Sequence, residues 1–311
     1  MFSPVMRGDR CVAKRVTPWQ NPLPIASFHF PFGYITMDGM PGLKQRRLGR
    51  TELMVTELGL GAMDTPTSME AAATVAKAVE LGITFIDTAR EYAGSEFLLG
   101  QHFRAHGQGA VRVATKSFAR TANGVQRDVD RSLSVLGLQR IDLYQLHDVT
   151  TPEAWEQVMR EDGALAGLRV AQYRGLVGHV GLSSHSFEVI ERAIVSGEFD
   201  TVMVEYSAFF PQSPALIDLA AEHDVGIIAM RPIGGSGRTS VIRGRVEAGS
   251  AGIVTPANLL RYVLSHPGVS VAIPGARHPS RVEENVATAS SYEPMGEAER
   301  RALEQEAARL Y

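Results

Sequence analysis

The sequence contains a single cysteine, Cys11, in 311 residues. One thiol excludes an internal disulfide framework and any multi-cysteine metal or iron–sulfur site. It fits a reducing, cytoplasmic setting. No apolar run approaches the ~18 residues that a membrane span needs, so no membrane partner is expected. The chain also lacks a charge excess, with 31 Lys and Arg against 34 Asp and Glu for a formal net charge of −3. That balance gives no electrostatic reason to expect nucleic acid as a partner. His-x-His pairs and carboxylate clusters are missing from the predicted strand ends. A metal-dependent barrel hydrolase would want them, and no metal is predicted.

Residues 1–43 are expected to be a disordered N-terminal extension, rich in Pro, Phe and Arg and without a sustained helix or strand period. Ala-x-Ala spacing is absent there, which argues against a secretory signal. Met37 or Met40 is an alternative first residue. What remains, residues 44–311, shows no break in composition and reads as one domain. Its 44% hydrophobic content suffices for a large core.

From residue 55 onward, short apolar strands alternate with helix-like segments. Three strands stand out. Ile83-Thr84-Phe85-Ile86 runs into Asp87, with Tyr92 shortly after it. Val111-Arg112-Val113-Ala114 ends at Thr115-Lys116, and Ile141 to Leu146 ends at His147. Strict alternation implies parallel strands, because a short hairpin cannot join parallel neighbours. Further strands are predicted over 55–60, 177–182, 201–204, 226–229 and 269–273, and helices over 69–81, 95–106, 125–136, 186–196, 214–223, 256–264 and 279–290. A long helix from Pro152 toward Tyr173 is expected to break at Gly163 or Gly167. Residues 234–237 read as a flexible glycine stretch. The pattern predicts an α/β fold: a (β/α)8 TIM barrel in a single domain. Arg46 to Val55 would form an N-terminal β-hairpin plug, and residues 297–310 an extra C-terminal helix.

In such a barrel the C-terminal strand ends share one face, which carries the active site. Asp87, Tyr92, Lys116 and His147 would meet there. A phenol is a weak acid, with an ordinary pKa of ~10. A nearby ammonium favours phenolate and lowers that value. Lys116 would supply this charge, and Asp87 would keep it protonated and aimed. Tyr92 then reads as a tuned general acid. His147 would be a second donor to the same substrate oxygen, and two donors stabilise the negative charge that develops when hydride adds to a carbonyl. Singly, these residues read as a helix cap, core packing, a solvated loop lysine and a turn former. Together on one barrel face they favour the catalytic reading.

Two other motifs fail on their spacing. Gly59-Leu60-Gly61 lacks the third glycine of a dinucleotide fingerprint, since Asp64 stands there. Gly181-Leu182-Ser183-Ser184-His185 lacks the second glycine of a nucleophile elbow.

The stretch Phe85-Ile86-Asp87-Thr88-Ala89-Arg90-Glu91-Tyr92, with Ser95-Glu96 and Leu99-Gly100, resembles the aldo-keto reductases. So do Ala114-Thr115-Lys116, Asp142 to His147, Gly178 to His185, Arg47-Leu48-Gly49-Arg50-Thr51 and Ile273-Pro274-Gly275-Ala276-Arg277 through Asn285. Met230-Arg231-Pro232 looks like a subgroup with Met-Arg/Lys-Pro after strand 7. The likeness covers about residues 46–290. It implies NAD(P)H-dependent reduction of aldehydes or ketones, or the reverse oxidation of an alcohol or sugar. Asp87, Tyr92, Lys116 and His147 match the family's catalytic tetrad.

The resemblance also implies cofactor contacts. Ser183 and Ser184 fall where the family holds the nicotinamide carboxamide with Ser-Asn. Met203 stands in place of a glutamine, and Met230 in place of a stacking aromatic. Arg231, Gly234 and Gly235 would lie at the pyrophosphate, and Arg277, Arg281, Glu284 and Asn285 at the adenosine end. The arginines favour NADPH, with NADH possible. The substrate would be a small carbonyl compound or sugar. The loops after the strands read as short, which predicts an open pocket lined by Met63, Phe118, Tyr206, Phe209 and Phe210. The oligomeric state is not legible. A reading from a different class is a cofactor-binding barrel with little turnover that acts as a regulatory or subunit-binding protein.

Overall fold

A computed structural model of the chain describes residues 42–65 and 68–310. The expected N-terminal extension, apart from residues 42 and 43, lies outside the described residues. Strands β1 (Gln45–Arg47) and β2 (Met54–Thr56) form the antiparallel hairpin. Eight parallel strands follow: β3 (Leu60–Gly61), β4 (Phe85–Asp87), β5 (Arg112–Ser117), β6 (Ile141–Leu146), β7 (Val177–Ser183), β8 (Thr201–Glu205), β9 (Gly226–Met230) and β10 (Val271–Ala272). They pair in chain order, and parallel bridges Leu58–Ala272 and Gly61–Gly275 join the last strand to the first. The sheet is therefore curled into a barrel.

Helices α1 (Ala71–Glu80), α2 (Ser95–His106) and α3 (Ala122–Leu136) follow β3, β4 and β5. Helices α4 (Pro152–Met159) and α5 (Ala164–Tyr173) both follow β6, α6 (Phe187–Ser196) follows β7, and α7 (Ser213–Glu222) follows β8. Helices α8 (Ser236–Glu247) and α9 (Pro256–Leu264) follow β9, and α10 (Pro279–Ser291) and α11 (Glu297–Ala308) close the chain. No helix among the described residues is long and apolar enough to cross a membrane.

Strand side chains alternate between two faces. Outward residues such as Ile86, Val113, Tyr144, Val202 and Ile227 pack under the helices in one large cluster. Inward residues Phe85, Ala114, Leu143, Met203, Ile228 and Val271 form a second cluster inside the barrel, joined by Leu48 and Val55 of the hairpin. The same inward register carries on to Asp87, Lys116 and Gln145 one pleat higher. Apolar packing thus fills the lower barrel, and polar groups occupy the mouth.

The hairpin closes the opposite end. Arg46 donates to the carbonyls of Leu264, His266 and Val269 and pairs with buried Glu57 at 2.6 Å. Gly49, at φ 52°, lies so close to β9 that an added Cβ would fall 2.1 Å from the Gly226 nitrogen. Both the positive φ and the backbone contact penalise any side chain there. Gly49→Ala is expected to destabilise the fold by about 2 kcal/mol or more, read as a shift in denaturation midpoint at unchanged slope.

The structure departs from expectation in two segments, the first strand and the glycine stretch, while the long helix breaks where expected. The predicted first strand splits, because the chain bends at buried Glu57. Val55 then belongs to the hairpin, and Leu60–Gly61 makes the barrel strand. The long helix breaks at Gly163, where a Cβ would sit 2.5 Å from the carbonyl oxygens of Gln157 and Val158. The glycine stretch opens a helix, α8, which had no apolar stripe to announce it. Ile242 is its fully buried residue among those described. The segment between β9 and α9 is consequently long and structured, and the strand-end loops are not uniformly short.

Candidate active site

Adjacent strands place the four expected catalytic side chains at one mouth. Asp87 ends β4, and Lys116 is the penultimate residue of β5. Both are buried, and the ammonium bonds the Asp87 carboxylate and, at 2.9 Å, the Thr88 carbonyl. Gln145, beside Lys116 in the β5–β6 pairing, donates to the other Asp87 oxygen at 3.0 Å. The Lys116 nitrogen also lies 4.6 Å from the centroid of the Tyr92 ring.

Tyr92 sits on a loop rather than a strand, and a buried polar network fixes that loop. The backbone N–H groups of Thr88 and Arg90 bond the carbonyls of Ala114 and Lys116 at 2.8 and 2.9 Å, which extends the sheet ladder. Thr88 donates to Ser95 at 2.7 Å. Glu96 accepts from Arg90 at 2.6 Å and from Thr115 at 2.8 Å. Ser95 and Glu96 therefore matter because they anchor the turn that carries the phenol.

Burial pushes the Asp87 carboxyl up, opposed by the ammonium beside it. Burial alone would pull Lys116 down, but the Asp87 charge and then Tyr92 outweigh it and hold the ammonium above the usual lysine range. For Tyr92 burial is again the largest effect, and Lys116 offsets it only in part, so the phenol lies above its ordinary value. The expected net lowering is thus corrected. The cation acts in the predicted direction, but desolvation of a mostly enclosed ring is larger. The phenol keeps its proton at neutral pH, as a proton donor must.

His147 follows β6, and its Nδ1 lies 2.9 Å from a Glu91 carboxylate oxygen. The imidazole meets Tyr92 edge-on at 5.6 Å between centroids and stacks on Phe118 at 4.2 Å.

These groups line one end of a cavity of about 850 Å³, together with Met63, Asp148 and His185. Met63 and Phe118 expose 51% and 46% of their surface at its rim. Ser183, Met203 and Met230 form part of the wall, and Arg231, Gly234, Gly235, Arg277 and Arg281 line it further on. Arg238 and Arg243 of α8 join them there. Glu284 stands behind this basic end, accepting from Arg243 at 2.9 Å and Arg281 at 2.6 Å, and Arg277 reaches Asp64 at 3.4 Å.

Several expected residues lie elsewhere. Tyr206 is fully buried in the helix layer, its hydroxyl accepting from Arg300 of α11 at 2.6 Å, so it is no part of the cavity wall. It faces outward because it continues the outward register of Val202 and Val204. Phe209 and Phe210 flank the Arg238 guanidinium at 5.2 and 5.5 Å and are not among the wall residues. Ser184 is buried and turned onto the Ser186 N–H at 2.9 Å. Asn285 is buried on α10, outside the wall. Arg231, at φ 54°, does line the wall, but its guanidinium pairs with Glu205 of β8. Sequence reading missed Glu91, Gln145, Glu205, Arg238 and Arg243. The two arginines carry one signal, a basic run that opens with glycines after a strand, a pattern that a flexible loop shares.

Among the described residues, no three or more His, Cys, Asp or Glu side chains are grouped to hold a metal ion.

A model of the Aldo/keto reductase family matches residues 57–295. The chain is 25% identical to an uncharacterized oxidoreductase, YqkF, of Bacillus subtilis, over 80% of this chain and 92% of that protein. It is 27% identical to L-galactose dehydrogenase of Arabidopsis thaliana, over 83% and 91% respectively. An aldo-keto reductase of Schizosaccharomyces pombe whose name carries NADP(+) is 28% identical over 57% of this chain and 56% of its own length. Among solved structures, the holo form of an aldo-keto reductase from Bacillus halodurans has the same fold, with a TM-score of 0.71 at 24% identity over 85% of this chain and 96% of the other. A putative aldo-keto reductase of Pseudomonas aeruginosa gives 0.65 at 31% identity, over 79% and 94%.

Proposed function

Because the chain belongs to the aldo/keto reductase family, we propose that it reduces small aldehydes or ketones at the expense of NADPH, with Tyr92 as the proton donor. The observation that carries this reading is the Lys116 ammonium, buried between the Asp87 carboxylate and the Tyr92 ring at the cavity floor. A buried cation in that place does little for a resting phenol. It stabilises the phenolate left after the proton has gone, which is where charge develops in the reaction. Asp87 keeps the lysine charged, and Gln145 holds Asp87. Met63 and Phe118 offer an apolar rim to the rest of the substrate.

The wall beyond the tetrad fits a phosphate-bearing dinucleotide. Five arginines, Arg231, Arg238, Arg243, Arg277 and Arg281, line it. A Cβ on Gly234 or Gly235 would meet Phe209 at 2.9 Å or Arg231 at 3.1 Å, so a bare backbone curves there into the first turn of α8. Backbone N–H groups at a helix start suit phosphate oxygens. When bound, the reduced dinucleotide would supply the hydride. The protein residues orient the carbonyl, donate the proton and exclude water. Ser183 and Met230 would hold the reactive end, and the arginines the phosphates. The arginine count favours a 2′-phosphate, since guanidinium groups bind phosphate with charge-assisted bonds. The single cysteine supports a cytoplasmic setting, and residues 44–311 are taken as the working unit.

The test is titration with NADPH and NADH, followed by assay of a panel of aldehydes, ketones and sugars. NADPH is expected to bind about tenfold or more tightly than NADH. Failure of the protein to bind either dinucleotide, or to turn over any carbonyl on the panel, would refute the reading.

A further inference from the structure

Glu91 directly precedes Tyr92 and lines the cavity. Its two oxygens have separate partners. Oε1 accepts the Phe118 backbone N–H at 2.8 Å, and Oε2 lies 2.9 Å from His147 Nδ1. The imidazole is held on other sides as well, stacked within 14° of the Phe118 plane and edge-on to Tyr92. Burial pushes the Glu91 carboxyl up, but His147 and the Phe118 N–H outweigh it and keep the group below the ordinary carboxyl range. An ionised carboxylate accepts hydrogen bonds and has no proton to give. The proton between Glu91 and His147 therefore belongs to Nδ1.

We propose that Glu91 is a positioning residue that fixes the His147 proton on Nδ1 and so reserves donation from Nε2 to the substrate oxygen for the charged ring. This deepens the carbonyl-reductase reading and rests on it. With Nδ1–H fixed, a neutral imidazole leaves Nε2 bare. A bare Nε2 accepts from an alcohol O–H and offers nothing to a carbonyl oxygen. The doubly protonated ring carries Nε2–H and donates to that oxygen. In reduction the carbonyl carbon takes a hydride from the reduced dinucleotide and the oxygen takes the Tyr92 proton. Nε2 contributes a hydrogen bond and transfers nothing. Alcohol oxidation retraces the same transition state, with the O–H proton returning to Tyr92, so both directions use the charged ring.

The other charged groups near the ring have their own partners. Asp87 and Lys116 pair with each other. Arg120 donates to the carbonyls of His147 and Asp148, both at 2.9 Å, and the Asp148 carboxylate takes the Thr150 hydroxyl.

Glu91→Gln inverts the arrangement. The Phe118 N–H keeps the amide oxygen on its own side, so the amide NH2 faces Nδ1 and donates to it. The proton of the neutral ring then moves to Nε2. Nitrogen NMR of protein labelled at histidine reads the tautomer without cofactor or turnover, with His147 assigned by the signals lost in His147→Asn. Nδ1–H is expected in the wild type and Nε2–H in Glu91→Gln. A wild-type neutral ring protonated at Nε2 overturns the proposal, as does a neutral ring still protonated at Nδ1 in Glu91→Gln. If Glu91→Gln does not fold, the wild-type spectrum decides alone. A wild type that reduces no carbonyl overturns the functional reading and the donation to substrate, while the spectrum still decides the tautomer.

Discussion

Tyr92→Phe is expected to lower kcat for carbonyl reduction by about 10²–10⁴-fold, the usual worth of a positioned general acid. NADPH affinity should stay within about twofold, because the hydroxyl acts on the reacting oxygen and not on the dinucleotide. The ring itself remains, so the edge contact with His147 and the packing over Lys116 survive. Stopped-flow turnover with a single aldehyde, beside a binding titration, separates the two quantities. A loss smaller than about tenfold would mean that the proton comes from another group.

Lys116→Met should cost both activity and stability. It deletes the cation that stabilises a Tyr92 phenolate, so kcat should fall at least as far as in Tyr92→Phe. It also leaves the Asp87 carboxylate buried, with the Gln145 amide at 3.0 Å as its remaining side-chain partner. Breaking a buried ion pair by removing one member typically costs about 3–5 kcal/mol. The pH dependence has a definite sign. Burial already pushes the Asp87 carboxyl up, and without the ammonium the largest opposing charge is gone. A carboxyl raised in the folded state loses stability as pH climbs past its unfolded value of ~3.9. The deficit of Lys116→Met, measured by denaturant titration, should therefore be larger at neutral pH than in mild acid. Adding Asp87→Asn should recover part of it. Equal deficits at both pH values would show that Asp87 is not left charged and unpaired.

Much of the architecture was legible from local patterns. The bounds of α2 and α9 match their sequence reading closely, because glycines flank the first and a threonine cap with Pro256 opens the second. Thr121, Thr151, Ser186 and Thr255 each accept an N–H of the first helical turn, and the first three stand where the chain passes from strand to helix. α8 escaped notice for the converse reason. With Ile242 as its fully buried residue, it has almost no apolar periodicity to detect. Tyr206, Phe209 and Phe210 were drawn to the cavity by composition alone. A one-residue change of register decides whether a strand-end aromatic looks into the barrel or out to the helices.

The sequence by itself determined the alternation of strands and helices, and with it the inward register that sets Asp87 and Lys116 side by side. Those are consequences of neighbouring residues and of period-two geometry. Only the tertiary structure decided that burial outweighs Lys116 at the Tyr92 phenol, that Arg231 turns back to Glu205, and that Glu91 holds His147. Desolvation depends on everything packed around a group, and a hydrogen-bond partner dozens of residues away leaves no trace in local pattern.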